Sequence, residues 1–321
     1  MLSRRHLRIK VLQALYAFFQ SDKDRLDLGE KELLKSINKL YEIYVYQLSF
    51  LIEIGEFAQK RMNENKDKFF PTADDLDPNT RFVNNRLFRQ IADNRDFRKH
   101  YEAYKINWVD EEEMIRKVYN EIREGIDYKN YMELSNPSFN DDREVLIKIV
   151  KKQISRSEIL QFFYEEKDIH WSDDFHTANL LVIKTLKSYK ESWDEYHALP
   201  TLLKEDEFDD KNEDREFVKQ LFRKTVIRSD EYADLIEDKV KNWEMDRIAV
   251  MDVLIIKMAM VELLEFPSVP IKVSLNEYIE LAKMYSTPKS KIFVNGVLDK
   301  LIFDLKDKKM IKKTGRGLLE S

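Results

Sequence analysis

The 321-residue chain has no cysteine, six glycines, seven prolines and five histidines. Each scarcity removes a class of protein. Without cysteine there is no disulfide scaffold, no thiolate zinc site and no thiol nucleophile. So few glycines and prolines exclude collagen-like and glycine-rich chains, and most all-β designs, which need many special turns. Long helices with few breaks fit this composition. The histidines are scattered: His170 and His176 are six residues apart and do not share a helix face, so they make no metal-ligand pair. Long apolar runs are also missing. The best candidate, residues 248–264, carries Asp252, Lys257 and Glu262 and falls short of the roughly 20 apolar residues of a membrane span. Ser3-Arg4-Arg5-His6-Leu7 looks superficially like a twin-arginine export signal, but Gln13 interrupts the apolar run at 11–19 and no small-residue cleavage site follows. A soluble cytoplasmic protein with no membrane association is the expectation.

What is present points to helices and to charge. Hydrophobic residues make up 43% of the chain, enough for a core, and charged residues 36%, well above the usual quarter or so. The length suits one large or two ordinary domains. With 55 basic and 60 acidic residues the net charge is −5. The chain is not basic throughout, so a nucleic-acid site must be a local patch. The most one-sided cluster is at the N-terminus, where Arg4, Arg5, Arg8 and Lys10 precede the first acid, Asp22.

That same segment reads as a helix. Leu7, Val11, Ala14, Leu15 and Phe18 fall on one face, and Arg5, Ile9, Leu12 and Tyr16 on a second stripe roughly opposite. A helix apolar on two sides is central or touches two things. Residues 30–66 predict a long helix filled by Leu33, Ile37, Leu40, Tyr41, Tyr44, Leu48 and Leu51, and residues 71–78 a loop. Asp74, Asp75 and Asp77 in that loop lack the glycine and terminal glutamate of a calcium-binding loop, so a solvated turn is expected. Helical patterns resume at 83–97 and 108–122, the second opened by the acidic turn 110–113, which suits the helix dipole. Residues 135–138 are a second break.

An ungapped internal repeat follows. Asp142-Arg143-Glu144 recurs 72 positions on as Asp214-Arg215-Glu216. The same offset pairs Arg156-Ser157 with Arg228-Ser229, Trp171 with Trp243 and Asp174 with Asp246, together with apolar pairs such as Val145/Phe217 and Ile149/Leu221. This predicts a duplicated helical unit, joined by a mostly acidic linker at 203–214.

In the C-terminal third, Pro267 and Pro270 end one helix. Ser274 with Glu277 reads as a capping box. The helix it opens carries Tyr278, Leu281, Ala282 and Tyr285, and Thr287-Pro288 reads as the cap and first residue of a last long helix. Gly296 inside that helix predicts a close helix approach, and the basic tail 306–316 a disordered end. No glycine-rich phosphate loop and no nucleophile elbow is present. Acid pairs on so charged a chain are solvated faces. The residues therefore argue against an enzyme and offer neither a metal site nor a cofactor site.

Two segments carry a resemblance. Arg4-Arg5-His6-Leu7-Arg8 leading into Val11-Leu12-Gln13-Ala14-Leu15-Tyr16 resembles the N-terminus of the NusB family of transcription antitermination factors. Asn276-Glu277-Tyr278-Ile279-Glu280-Leu281-Ala282-Lys283, followed by Phe293-Val294-Asn295-Gly296-Val297-Leu298-Asp299-Lys300, is similar to its most characteristic C-terminal stretch. The central helices of the family look like residues 217–264, with Arg247, Asp252 and Glu262. The resemblance covers 1–22 and about 215–303, and the chain looks like an enlarged form of the kind seen in the Bacteroidetes group.

The resemblance implies an all-α fold, a NusB-like helical bundle in two subdomains with a large helical insertion. Residues 1–22 would be the N-terminal helix, 23–213 the insertion (142–190 a degenerate copy of the C-terminal unit), 214–305 the C-terminal domain and 306–321 the tail. It implies binding of boxA RNA of ribosomal RNA leaders together with NusE, a ribosomal protein, in an RNA polymerase antitermination complex. Carried over by position, the RNA-binding residues are Arg4, Arg5, Arg8, Tyr16, Tyr285, Lys289 and Phe293. His6 and Ile292 stand where the family often has a cation; Lys289 and Lys291 supply charge nearby. The residue types agree with that role, since cations meet phosphates and aromatic rings stack on unpaired bases. Two other readings stay open: a helical adaptor that binds only protein, and an RNA-targeting domain like that of ribosomal RNA cytosine methyltransferases.

Overall fold

The computed structural model describes residues 2–21, 25–204, 213–240 and 248–319. Within them the regular structure is helical, with fifteen α-helices, a few 3-10 turns and no strand. In chain order these are α1 (Arg4–Gln20), α2 (Leu26–Lys66), α3 (Ala73–Leu76), α4 (Arg86–Asp93), α5 (Arg95–Ala103), α6 (Glu112–Glu124), α7 (Ile126–Met132) and α8 (Phe139–Lys152). They continue with α9 (Glu158–Lys167), α10 (Phe175–Ser188), α11 (Glu213–Ile227), α12 (Ser229–Lys239), α13 (Val250–Glu265), α14 (Ile271–Tyr285) and α15 (Ser290–Asp307). None of these helices is long and apolar enough to cross a membrane.

The chain divides into two compact units, one made of Met1–Lys35 with Thr201–Ser321 and the other of Ser36–Pro200. The boundary lies inside α2, later than residue 23, because the first turns of α2 belong to the first unit. Glu30 pairs with Lys219 and Arg223 of α11, and Gly29 leaves room for the Phe18 and Phe222 rings.

In the first unit α13 is the central rod. It packs against α1, α11, α12, α14 and α15, and every residue from Leu254 to Leu263 is buried. That explains its near-continuous apolar sequence, since a helix surrounded by others has no solvent stripe. α1 is capped by Ser3, whose hydroxyl accepts from the His6 amide. It buries Leu7, Val11, Leu12 and Leu15 against α11 and α13. In the second unit α8 packs on α10, and α2 contributes Tyr44 and Gln47. Gln47 is satisfied on both sides: its amide donates to Asn179 at 2.8 Å and its oxygen accepts from Tyr164 at 2.9 Å. A buried amide needs such partners to avoid a desolvation penalty.

Several local expectations change. The 83–97 pattern is two helices, because Asn94 turns the chain and caps α5 through the Phe97 amide at 2.8 Å. The aspartate-rich turn holds the short α3, and Asp75 is used in a capping box with Thr72. Ser274 is not a cap: α14 already begins at Ile271 after Pro270, and Ser274 is a buried interior residue. α15 begins at Ser290, and Thr287 with Ser290 forms the turn before it. A Cβ on Gly296 would meet nothing within 4 Å, so no close approach explains that glycine. The described part of the tail packs on the α13–α14 corner, where the Thr314 amide donates to the Pro267 carbonyl at 3.0 Å.

The segments related by the 72-residue offset run as α8, α9, α10 and as α11, α12, α13. Trp171 is buried; Trp243, Asp246, Arg247 and the linker residues 205–212 lie outside the described residues. The repeated aspartates are alike in setting. Asp142 and Asp214 are both buried, and each accepts from an arginine that opens another helix, Arg86 of α4 at 2.6 Å and Arg4 of α1 at 3.0 Å.

Candidate RNA-binding surface

The N-terminal cations sit on the first two turns of α1, and the structure sorts them into two groups. Arg4 and Arg5 are partly exposed, at 41% and 42% of their side-chain surface. Arg4 lies over the Phe217 ring at 4.4 Å and pairs with Asp214 and Glu213. Arg5 grips Glu277 of α14 with Nε and Nη2, both at 2.8 Å. That hydrogen-bonded pair raises the Arg5 guanidinium above its ordinary value and lowers Glu277 below the usual carboxylate range. In both arginines the acids meet Nε and Nη2, Asp214 and Glu213 on Arg4 and Glu277 on Arg5. Such a planar, anchored fork is suited to a phosphate oxygen.

Arg8 does not belong to this surface. It is 3% exposed and makes a bidentate pair with the fully buried Glu262 of α13, both bonds at 2.7 Å. Ser274 and Tyr278 of α14 donate to the same carboxylate at 2.8 and 3.1 Å. Burial pulls the Arg8 guanidinium down, but the hydrogen bonds and charge of Glu262 outweigh it, so the net shift is upward. One basic residue thus ties three helices together, and a phosphate cannot reach it. The residue Ser274, expected as a cap, is part of the same buried network.

The aromatic candidates also divide. Tyr16 is 42% exposed on α1. Tyr285, at the end of α14, is half-buried, and Lys289, just before α15, is exposed. Phe293 is 8% exposed and packs in the core, so its ring is not available to stack on a base. The turn bearing Lys289 is fixed by Ser290, whose hydroxyl donates to Asp252 of α13 at 2.7 Å. α1 runs antiparallel to α13: Arg8 meets Glu262 near one end, while Phe19 lies beside Lys257. Arg4 and Arg5 therefore stand at one end of α1 and Tyr16 twelve residues on, about 18 Å away along the helix. The candidates form a strip, not a point. Asp214 and Glu277, which orient the two arginines, were missed as partners in the sequence, although Glu277 stands within the signature stretch. Among the described residues no group of acids and histidines converges to hold a metal ion.

The NusB family model matches residues 176–303. A transcription antitermination protein NusB from Salinibacter ruber is 44% identical over 139 residues, covering 43% of this chain and 86% of that protein. The chain belongs to the NusB family. Further proteins of the same name, from Chloroherpeton thalassium and Finegoldia magna, are both 38% identical, over 106 and 89 residues. These spans cover 33% and 28% of this chain, and 50% and 65% of the relatives. No solved structure matches. The NusB match opens at α10, inside the stretch expected as insertion, and does not reach residues 1–22. The fold supplies the missing connection, since α1 packs on α11 and α13 within the matched span.

Proposed function

We propose that this NusB family member is a transcription antitermination factor that binds single-stranded boxA RNA of ribosomal RNA leaders together with NusE, as part of an RNA polymerase antitermination complex. The observation that carries the reading is the strip on the first unit: two anchored, outward-facing arginines at one end of α1 and an exposed tyrosine at the other. Arginines give affinity through phosphates, and the ring gives a stacking surface for a base. Lys289 and Tyr285 join them on the resemblance alone. The role is binding without catalysis, in the cytoplasm, with no cofactor. On the same reading residues 36–175, which precede the matched span, are added helical structure, and 142–186 are a diverged copy of 214–258 that takes no part in RNA contact. The test is Arg4→Ala with Arg5→Ala in the full chain, assayed for binding to a boxA RNA. Affinity falls and the salt slope flattens by about 1.4, at about 0.7 per single-strand phosphate contact, while the helical signal is kept. Unchanged affinity at moderate salt refutes the assignment.

A further inference from the structure

The strip described above holds few free cations, since Arg4 and Arg5 are each tied to acids. A second basic segment lies close by. Residues 306–316 contain Lys306, Lys308, Lys309, Lys312, Lys313 and Arg316 against the single acid Asp307. Lys308, Lys309, Lys312 and Arg316 are exposed and, among the described residues, have no carboxylate partner.

The segment is held in place. The Met310 amide donates to the Leu305 carbonyl at 2.9 Å, which turns the chain out of α15. Lys313 reaches the end of α13 and donates to the carbonyls of Phe266 at 3.0 Å and Glu262 at 3.3 Å. Both carbonyls also accept a backbone amide, from Phe266 on Glu262 and from Val269 on Phe266, and a cation at the C-terminal end of a helix suits its dipole. Gly317 is buried, and a Cβ there would stand 1.9 Å from the Pro267 carbonyl oxygen. Gly315 takes φ +52°, which glycine adopts without strain. The place is next to the N-terminal cations: the Phe266 ring is 5.1 Å from Phe217, edge to face, and Phe217 lies beneath Arg4.

We propose that residues 306–316, docked on the α13–α14 corner by Lys313 and Gly317, form a second basic wall of the RNA-binding surface, in which Lys312 and Arg316 contact phosphates of the bound strand. This rests on the RNA-binding reading given above. The occupant is a nucleic-acid backbone because the wall carries cations without carboxylate partners and is linked to the Arg4 end of the strip through Phe266 and Phe217. Its cations can displace the counterions condensed on the RNA phosphates, the source of affinity in such contacts.

The test uses the full chain and fluorescence anisotropy with a boxA RNA between low and moderate salt. Lys312→Ala with Arg316→Ala, both exposed, weakens binding about tenfold at low salt and lowers the salt slope by about 1.4. Gly317→Val keeps every cation but forces the segment off Pro267. It weakens binding to a similar extent and speeds tryptic cleavage within 306–316. If the Lys312/Arg316 variant keeps the parent affinity and slope while the Arg4/Arg5 variant loses binding, the second wall is refuted and the RNA reading stands. If the parent chain itself does not bind the RNA, both fall. A Gly317→Val protein with a freed tail and full affinity refutes the docked geometry. If the Lys312/Arg316 variant loses affinity for poly-glutamate but not for RNA, the wall serves an acidic protein, and the proposal is overturned.

Discussion

Replacing Arg8 tests whether the N-terminal basic cluster is divided as the structure shows. Arg8→Ala removes both bonds to Glu262 and leaves a carboxylate with no exposed surface, served only by the Ser274 and Tyr278 hydroxyls. Removing one member of a buried ion pair costs about 3–5 kcal/mol, because the other charge stays buried and uncompensated. Against a typical domain stability of about 5–15 kcal/mol, this shifts the folding equilibrium of the first unit by two orders of magnitude or more. Urea denaturation followed by circular dichroism reads the loss. The double substitution Arg8→Met with Glu262→Leu destabilises by less than the two single changes summed, since no lone charge then remains buried. A loss under about 1 kcal/mol for Arg8→Ala, combined with a collapse of RNA affinity in a folded protein, refutes the reasoning and returns Arg8 to the RNA surface.

Burial, with the charge of Glu56 adding to it, pushes the Glu53 carboxyl up to about 7 from 4.5. The folded state then holds the extra proton between these values, so this group's contribution to stability falls as pH rises from 4.5 to 7. Because Glu53 is only half-buried, Glu53→Gln gains on the order of 1 kcal/mol at pH 8 and nothing at pH 4; an equal gain at both contradicts this. Gly296→Ala, with open space around the new Cβ, stabilises by about 0.5–1 kcal/mol in thermal melts, and a destabilised variant shows an unseen contact. Tyr16→Ala weakens RNA binding by about 1–3 kcal/mol and leaves stability within about 0.5 kcal/mol; a large drop in melting temperature instead assigns the ring to packing.

The helices were legible because the chain has few breakers and a clear 3.6 period. The α1 faces and the extent of α2 follow from the spacing of Leu7, Val11, Leu15 and of Leu33, Ile37, Leu40. The fate of Arg8 was not legible, since its partner Glu262 lies 254 positions away and a run of cations looks alike whether exposed or buried. Periodicity also placed Leu12 on the stripe with Tyr16, yet Leu12 is fully buried and Tyr16 is exposed, so the second stripe is half core and half surface. Ser274 satisfied the spacing of a capping box, but Pro270 had already opened the helix, and a serine three residues into it serves Glu262 instead. The tail was read from composition alone. Lysine-rich ends solvate readily, and only the bonds of Lys313 and Thr314 to Glu262, Phe266 and Pro267 show how this one packs.

The measurement that bears most directly on the central claim is a salt titration of the full chain against a boxA RNA and a scrambled RNA of equal length, each with and without NusE. The account predicts tighter binding to boxA, further tightened by NusE, with log affinity falling linearly as log salt rises. Equal affinity for the two RNAs, no effect of NusE, or binding indifferent to salt would contradict it.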